Sequence, residues 1–250
     1  MTNLKNAALT IRTFVVVPLF VVWVIILSTG VIVTSWFKKD SELSERIIRL
    51  FARSFLLMAP TRLTIDDRSG LPDAAGQFVF VSNHLSNFDI PVVFLTTKHK
   101  IRFLAKKEVY KIPVFAQALD ALGMIKIDRQ GGASIRETIN SGVKRARSRG
   151  LSLIVFPEGT RSVTGDLQVF KSGAFRIGID TGMPIVPISI HGTWDMWPPG
   201  ERVFRPGKVN VIVHPPIKTA GLKGSDVNRI RKQAHATIAA GLDELRGRES

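Results

Sequence analysis

His84 and Asp89 stand five residues apart in the run Asn83-His84-Leu85-Ser86-Asn87-Phe88-Asp89, and together these two side-chain types can move a proton. The run follows the apolar stretch Phe78-Val79-Phe80-Val81, which predicts a buried strand that delivers His84 to the mouth of the fold. An aspartate folded back onto one imidazole nitrogen fixes the tautomer. The other nitrogen is then free to take a proton from a substrate hydroxyl. The expectation is a general base with no protein nucleophile attached.

Alone, such a pair carries little information, and other residues give it weight. Phe156 to Ser162 reads FPEGTRS at the end of a second apolar run, Ser152–Phe156. Gly159 permits a tight turn with open backbone N–H groups. Arg161 can grip a phosphate through two parallel hydrogen bonds, and Glu158 can orient an acceptor or pair with a basic residue. Lys106, Lys107 and Arg129 cluster between the two motifs and suit an anionic head group. Phe94, Leu95, Phe103, Leu104, Val109, Ile112, Val114 and Phe115 could line a groove for an acyl chain, or serve simply as core. Met183–Ile190, MPIVPISI, reads as one more wall strand.

Composition removes other chemistries. The chain has no cysteine, which excludes a thiol nucleophile, thiolate metal sites and disulfides. No His/Cys/Asp/Glu cluster has ligand spacing, so no metal or other cofactor is expected. Gly-x-Ser-x-Gly is absent, and Lys171-Ser172 lacks the glycine of a P-loop. His99, His191, His214 and His235 have no companion at motif spacing and read as structural or surface residues. The net charge of +15 is spread along the chain: residues 1–69 carry 9 basic and 5 acidic side chains, residues 200–250 carry 10 and 5. Such a field suits an anionic membrane or anionic substrates. No zinc-finger spacing or aromatic RNA-reading strand accompanies it, so nucleic acid is not an expected partner.

Thr13–Phe37 is a 25-residue stretch without a formal charge. As a helix it would be about 37 Å long, enough for a hydrocarbon core of about 30 Å. Lys38, Lys39 and a series of arginines follow it, whereas only Lys5 and Arg12 precede it. That bias keeps the larger part on the cytoplasmic face of the cell inner membrane. Pro18 and Gly30 could bend or break the helix, so a full span and a one-leaflet anchor both stand. Residues 41–58 predict a second helix, capped by Ser41 or Ser44. Its apolar face is Ile47, Ile48, Leu50, Phe51, Phe55 and Met58, with Arg46, Arg49 and Arg53 largely off it.

Beyond Pro60, strand-like runs alternate with helical ones: a strand over 61–66, helices near 90–97, 109–122, 134–149, 174–181 and 225–245, and strands at 101–105, 124–127, 185–190 and 209–214. This predicts an α/β fold with a largely parallel central sheet flanked by helices, plus an N-terminal two-helix membrane-anchoring motif. The division falls as 1–59 for the anchor and 60–250 for the α/β domain.

NHLSNFD, the segment from KKEVYKIPVF to GMIKIDR, FPEGTRS and MPIVPISI together resemble the four successive blocks of the glycerolipid acyltransferase family, most closely its bacterial 1-acyl-sn-glycerol-3-phosphate acyltransferases. The resemblance spans residues 78–190. It implies transfer of a fatty acyl group from acyl-CoA or acyl carrier protein to the hydroxyl of a lysophospholipid, with lysophosphatidic acid as acceptor and phosphatidic acid as product. His84 and Asp89 would be catalytic. Lys106 and Arg161 would bind the acceptor's phosphate, beside Arg129. Glu158, Gly159 and Thr160 would shape the acceptor site, and Asn83 is a candidate oxyanion donor. Two alternatives stay open: an acyltransferase acting on lyso-ornithine lipid, lysophosphatidylglycerol or lysophosphatidylcholine, and a membrane-bound lipid binder without catalysis.

Overall fold

The strand-like runs pair into one seven-stranded sheet whose central strands are buried on both sides, as the near-continuous apolar sequences demand. The computed structural model describes residues 2–73, 75–128 and 134–248, with side chains from residue 9 onward and, in the third segment, from 137. The chain begins with helices α1 (Thr2–Phe37) and α2 (Glu42–Met58), then β1 (Thr61–Asp67), β2 (Val79–Ser82), α3 (Asp89–Thr96) and β3 (Ile101–Lys106). A 3-10 turn at Lys107–Lys111 leads to α4 (Phe115–Leu122), β4 (Ile125–Ile127), α5 (Ser134–Ser148) and β5 (Ser152–Val155). Then come α6 (Gly173–Thr181), β6 (Ile185–His191), the single turn α7 (Thr193–Met196), β7 (Gly207–Val213) and, after a 3-10 turn, α8 (Val227–Gly247).

Strand order is β1-β7-β6-β2-β5-β3-β4. Every neighbouring pair is parallel except β6 with β7, so β1 and β7 form an edge that runs against the rest. Alternation along the strands divides the core. Phe80, Ile154, Val186 and Ile188 pack with α1 to α4, while Val79, Val81, Leu153 and Ile185 pack with α5, α6 and α8. The chain therefore leaves β2 for a helix on one face and leaves the adjacent β5 for a helix on the other. Ligands of open α/β sheets bind in the crevice at the strand ends where the connections diverge in this way.

Three sequence expectations change. The helix expected over 109–122 is split: Pro113 supplies no N–H, and Phe115 N donates to Pro113 O (2.7 Å) across a γ-turn at Val114, φ 65. Positive φ is strained for a β-branched residue, so that turn is held by its surroundings. α1 runs unbroken through Pro18 and Gly30. In α2 the expected apolar face is packed except at Leu50: Ile47 and Phe55 lean on the core and Phe51 meets Phe20. Ile48, Ala52, Leu56 and Met58 are buried, while Leu43, Leu50 and Leu57 point outward beside exposed Arg46 and Arg53.

Ser41, not Ser44, caps α2 by accepting from Ser44 N. The turn between α1 and α2 is clamped by charge. Asp40 (φ 53) receives Arg149 Nε and Nη2, both at 2.6 Å, and Arg102 Nη2 at 3.1 Å. Arg102 is fully buried; its Nη2 also reaches Glu45 Oε1 at 2.5 Å, and its Nε donates to Leu122 O. Aromatic rings continue the joint: Phe20 of α1 meets Phe55 of α2 edge-on at 5.4 Å, and Phe55 meets Phe88 at 5.3 Å. Such pairs contribute about 0.5–1.5 kcal/mol each beyond area burial.

Candidate active site

Asp89 is the first residue of α3, and its buried carboxylate is saturated with donors. Oδ2 accepts from Leu85 N at 2.6 Å and Ser86 N at 2.8 Å, and stands 2.8 Å from His84 Nδ1. Oδ1 accepts from Thr193 Oγ1 at 2.6 Å. With the carboxylate as acceptor, Nδ1 carries the hydrogen and Nε2 is left as the basic atom. One face of the His84 ring lies flat on Phe156, centroids 4.0 Å apart and planes 12° apart. The ring is thus held against Asp89 and Phe156 while 13% of the side chain stays exposed.

The loop after β5 is sewn to the loop after β2. Glu158 Oε1 accepts from His84 N at 2.7 Å, its Oε2 accepts from Gln168 N at 3.2 Å, and Ser162 N donates to His84 O at 2.8 Å. Glu158 is buried and has no ion pair among the described residues. Burial pushes its carboxyl up to about 7, against the two backbone N–H groups that favour the charged form and with help from the nearby Asp89 charge. Glu158 thus shapes the site through the backbone, not by pairing with a basic residue.

Gly159 takes φ 79, and a Cβ there would meet Lys171 Nζ at 2.6 Å. That close approach puts the Lys171 amine against the turn. Thr160 is exposed, and its carbonyl accepts weakly from Gln168 Nε2. Arg161 is half-buried and makes no ion pair among the described residues. Lys106 ends β3, next to β5 on the same rim of the sheet; it is half-exposed and only 3.7 Å from Glu108. Lys107 is taken by Asp128 at 2.8 Å. Arg129 lies outside the described residues.

Asn83 is not at the mouth. Its amide is fully buried, donating to Ile190 O (2.8 Å) and accepting from Ile190 N (2.9 Å), so it braces β2 against β6 and does not face a substrate. Phe94 and Phe103 belong to the core, whereas Ile112 is exposed. His99 and His214 are internal, on Ala75 O and Ser189 Oγ.

Two residues escaped the sequence reading. Thr193 sits after β6, where Gly192 (φ 92) brings the backbone against Lys208 O and turns the chain toward Asp89. Lys171 lies ten residues past Arg161. Local patterns mark neither.

The family model described as "Acyltransferase" matches residues 62–191. The chain is similar to the chloroplastic 1-acyl-sn-glycerol-3-phosphate acyltransferase of Arabidopsis thaliana, 32% identical over 183 residues that make up 73% of this chain and 49% of that protein. It therefore spans about half the length of that relative. It is 28% identical to the alpha 1-acyl-sn-glycerol-3-phosphate acyltransferase of Bos taurus, over 89% of this chain and 77% of the other. The crystal structure of the 1-acyl-sn-glycerophosphate (LPA) acyltransferase PlsC from Thermotoga maritima superposes with a TM-score of 0.81 at 27% identity, covering 98% of each chain.

Proposed function

This chain belongs to the Acyltransferase family, and from that premise we propose that it moves a fatty acyl group from a thioester donor, acyl-CoA or acyl carrier protein, to the free hydroxyl of 1-acyl-sn-glycerol-3-phosphate, giving phosphatidic acid. The observation that carries the reading is His84 Nδ1 on Asp89 Oδ2 at 2.8 Å, at the point where the sheet's connections diverge.

Nε2 of His84 takes the proton of the acceptor hydroxyl as its oxygen attacks the thioester carbonyl carbon. Collapse of the tetrahedral adduct breaks the C–S bond, and the imidazolium returns the proton to the departing thiolate. Ester and free thiol result, with no acyl-enzyme. Asp89 balances the transient imidazolium charge. Thr193, Leu85 N and Ser86 N keep that carboxylate in register. Arg161, with Lys106 on the same rim, receives the acceptor's phosphate, and Gly159 and Thr160 border it.

The anchor fits a lipid acceptor. Leu9–Phe37 is, by length and composition, apolar enough to cross a membrane, with mean hydropathy 2.7. Yet both ends of the apolar stretch are fastened to the α/β domain: Arg12 Nη2 donates to Phe204 O at 2.8 Å, and the turn after Phe37 is held at Asp40. A helix pinned at both ends to one domain does not put its ends on opposite sides of a bilayer. We therefore read α1 as lying in one leaflet, with α2's outward Leu43, Leu50 and Leu57 among the head groups and Arg46 and Arg53 on anionic lipid, at the cytoplasmic face of the inner membrane.

The test is thiol release by the purified protein with a panel of lysolipids. Release that requires lysophosphatidic acid, and falls by roughly a thousandfold in His84→Ala, is the expected result. Release without acceptor indicates a thioesterase. Equal rates with lyso-ornithine lipid or lysophosphatidylcholine overturn the acceptor assignment. Lipid affinity retained with no release by any donor leaves only a lipid binder.

A further inference from the structure

A second opening begins at the same strand ends, on the face of the sheet away from α1 and α2. It is a groove of about 760 Å³ between α5 and α6, reaching Phe156, Pro157 and Gly159 at its inner end. Phe156 is the ring on which His84 lies, and Pro157 adjoins the Glu158 that fixes His84. The floor is apolar: Leu104, Ile127, Val155, Ile177. Outward, the groove shares Asn140, Ile177 and Asp180 with a further hollow of about 530 Å³ that runs toward Gln77.

The rim is charged. Lys171 and Arg176 border the inner groove, Lys144 and Arg147 the outer hollow. None of the four is in an ion pair among the described residues, and the one acidic residue bordering either hollow is Asp180. Elsewhere the chain pairs its arginines readily: Arg68 and Arg248 with Asp66 and Glu244, Arg102 and Arg149 with Asp40. A long trough with an apolar floor, unpaired cations along its edge and its inner end at Phe156, the ring that carries the His84 imidazole on one face, suits a slender ligand with amide and methylene groups that ends in phosphate.

We propose that this groove receives the phosphopantetheine arm of the acyl donor, so that the water-borne donor and the membrane-held acceptor enter from opposite faces of the sheet and meet at His84. The proposal rests on the acyltransferase reading of the site. It follows from placement: the α1–α2 face is committed to the bilayer, and the α5–α6 face is not. The thioester carbonyl then sits beside Phe156, with Lys171 and Arg176 near the arm and Lys144 and Arg147 taking its terminal phosphate.

Charge reversal at the far end tests this without touching the site. In the full chain in detergent, with saturating lysophosphatidic acid, Lys144→Glu/Arg147→Glu should raise the KM for palmitoyl-CoA about tenfold. Turnover at saturating donor and the KM for lysophosphatidic acid should change less than twofold. A palmitoyl thioester of N-acetylcysteamine, which has no phosphate, should be used equally well by both proteins. Lys208→Glu/Lys218→Glu, exposed and away from the groove, is the charge-matched control and should match the wild type. Palmitoyl carrier protein as a second donor separates the sources: a KM rise for both donors, or for one, assigns the phosphate read at this rim. An unchanged KM for both overturns the groove. So does an equal loss with the phosphate-free donor, which marks a general defect. Binding of CoA to His84→Ala, lost on adding the double reversal, supports the groove independently of turnover. Acyl transfer absent from the wild type with every donor removes the reading of the site itself; transfer present with an unmoved KM removes the groove alone.

Discussion

Two buried glutamates show how one residue type serves opposite ends. Glu45, at the anchor joint, stands 2.5 Å from the buried Arg102 guanidinium, which Asp40 shares. Glu158, at the strand ends, meets the backbone N–H groups of His84 and Gln168 and no cation among the described residues, and burial pushes its carboxyl up to about 7. The surrounding cations follow the same division. At the joint they are consumed by carboxylates; at the site Arg161 and Lys171 are not, among the described residues. Charge matched within the chain holds parts together, and charge left over remains available to a ligand.

The comparison is most exposed at Arg102. Arg102→Met strands Glu45 without its guanidinium, leaves Asp40 with Arg149 alone, and should lower unfolding stability by about 3–5 kcal/mol, measured by denaturation in detergent. Arg161→Met should leave stability within about 0.5 kcal/mol of wild type. Equal losses at the two arginines would erase the distinction.

Glu158 gives the next effect, in pH. Its folded-state pKa lies above the unfolded value of 4.5, at about 7. Between those two values the folded chain holds a proton that the unfolded chain has released, so stability should fall as pH rises from about 4.5 to 7 and level off above. The whole descent is on the order of 3 kcal/mol. Glu158→Gln should flatten it, because the amide does not titrate; an unchanged slope would trace the effect to another group.

Smaller changes belong to the substrate side. Arg161→Ala should raise the KM for lysophosphatidic acid about tenfold with turnover nearly unchanged, as expected when a ground-state phosphate contact is lost. A pure fall in turnover would place the arginine in the transition state only. Thr193→Val removes one donor from Asp89 Oδ1 and should cost a few-fold to about tenfold in turnover, with Thr193→Ser restoring most of it. An unmoved rate in Thr193→Val would reduce that hydroxyl to packing.

Much of this was legible in the sequence because it was local. Continuous apolar runs such as Val79–Val81 and Ile185–Ile190 predict doubly covered parallel strands, and the five-residue step from His84 to Asp89 is short enough for one turn to close. What could not be read depended on distant parts. Asn83 looks like a site amide until β6 arrives 107 residues later to occupy it. Thr193 joins Asp89 across 104 residues, and Lys171 approaches Gly159 only because the intervening loop doubles back. In α2, helical periodicity gave the stripe, but α1 packed on it decided which leucines stay outside. At Val114 a strained turn overrides a favourable helical pattern.

Phe88 belongs to the same seven-residue run as the reacting imidazole, yet its ring is wedged against Phe55 of the second helix, which in turn leans on Phe20 of the first. Cutting the chain at residue 59 to obtain a soluble fragment would thus take Phe55 from the pocket that seats this phenylalanine, leaving Trp197 and Phe204, and loosen the loop that carries His84. The two N-terminal helices take part in the packing around this loop, and detergent or lipid replaces only their outer coat.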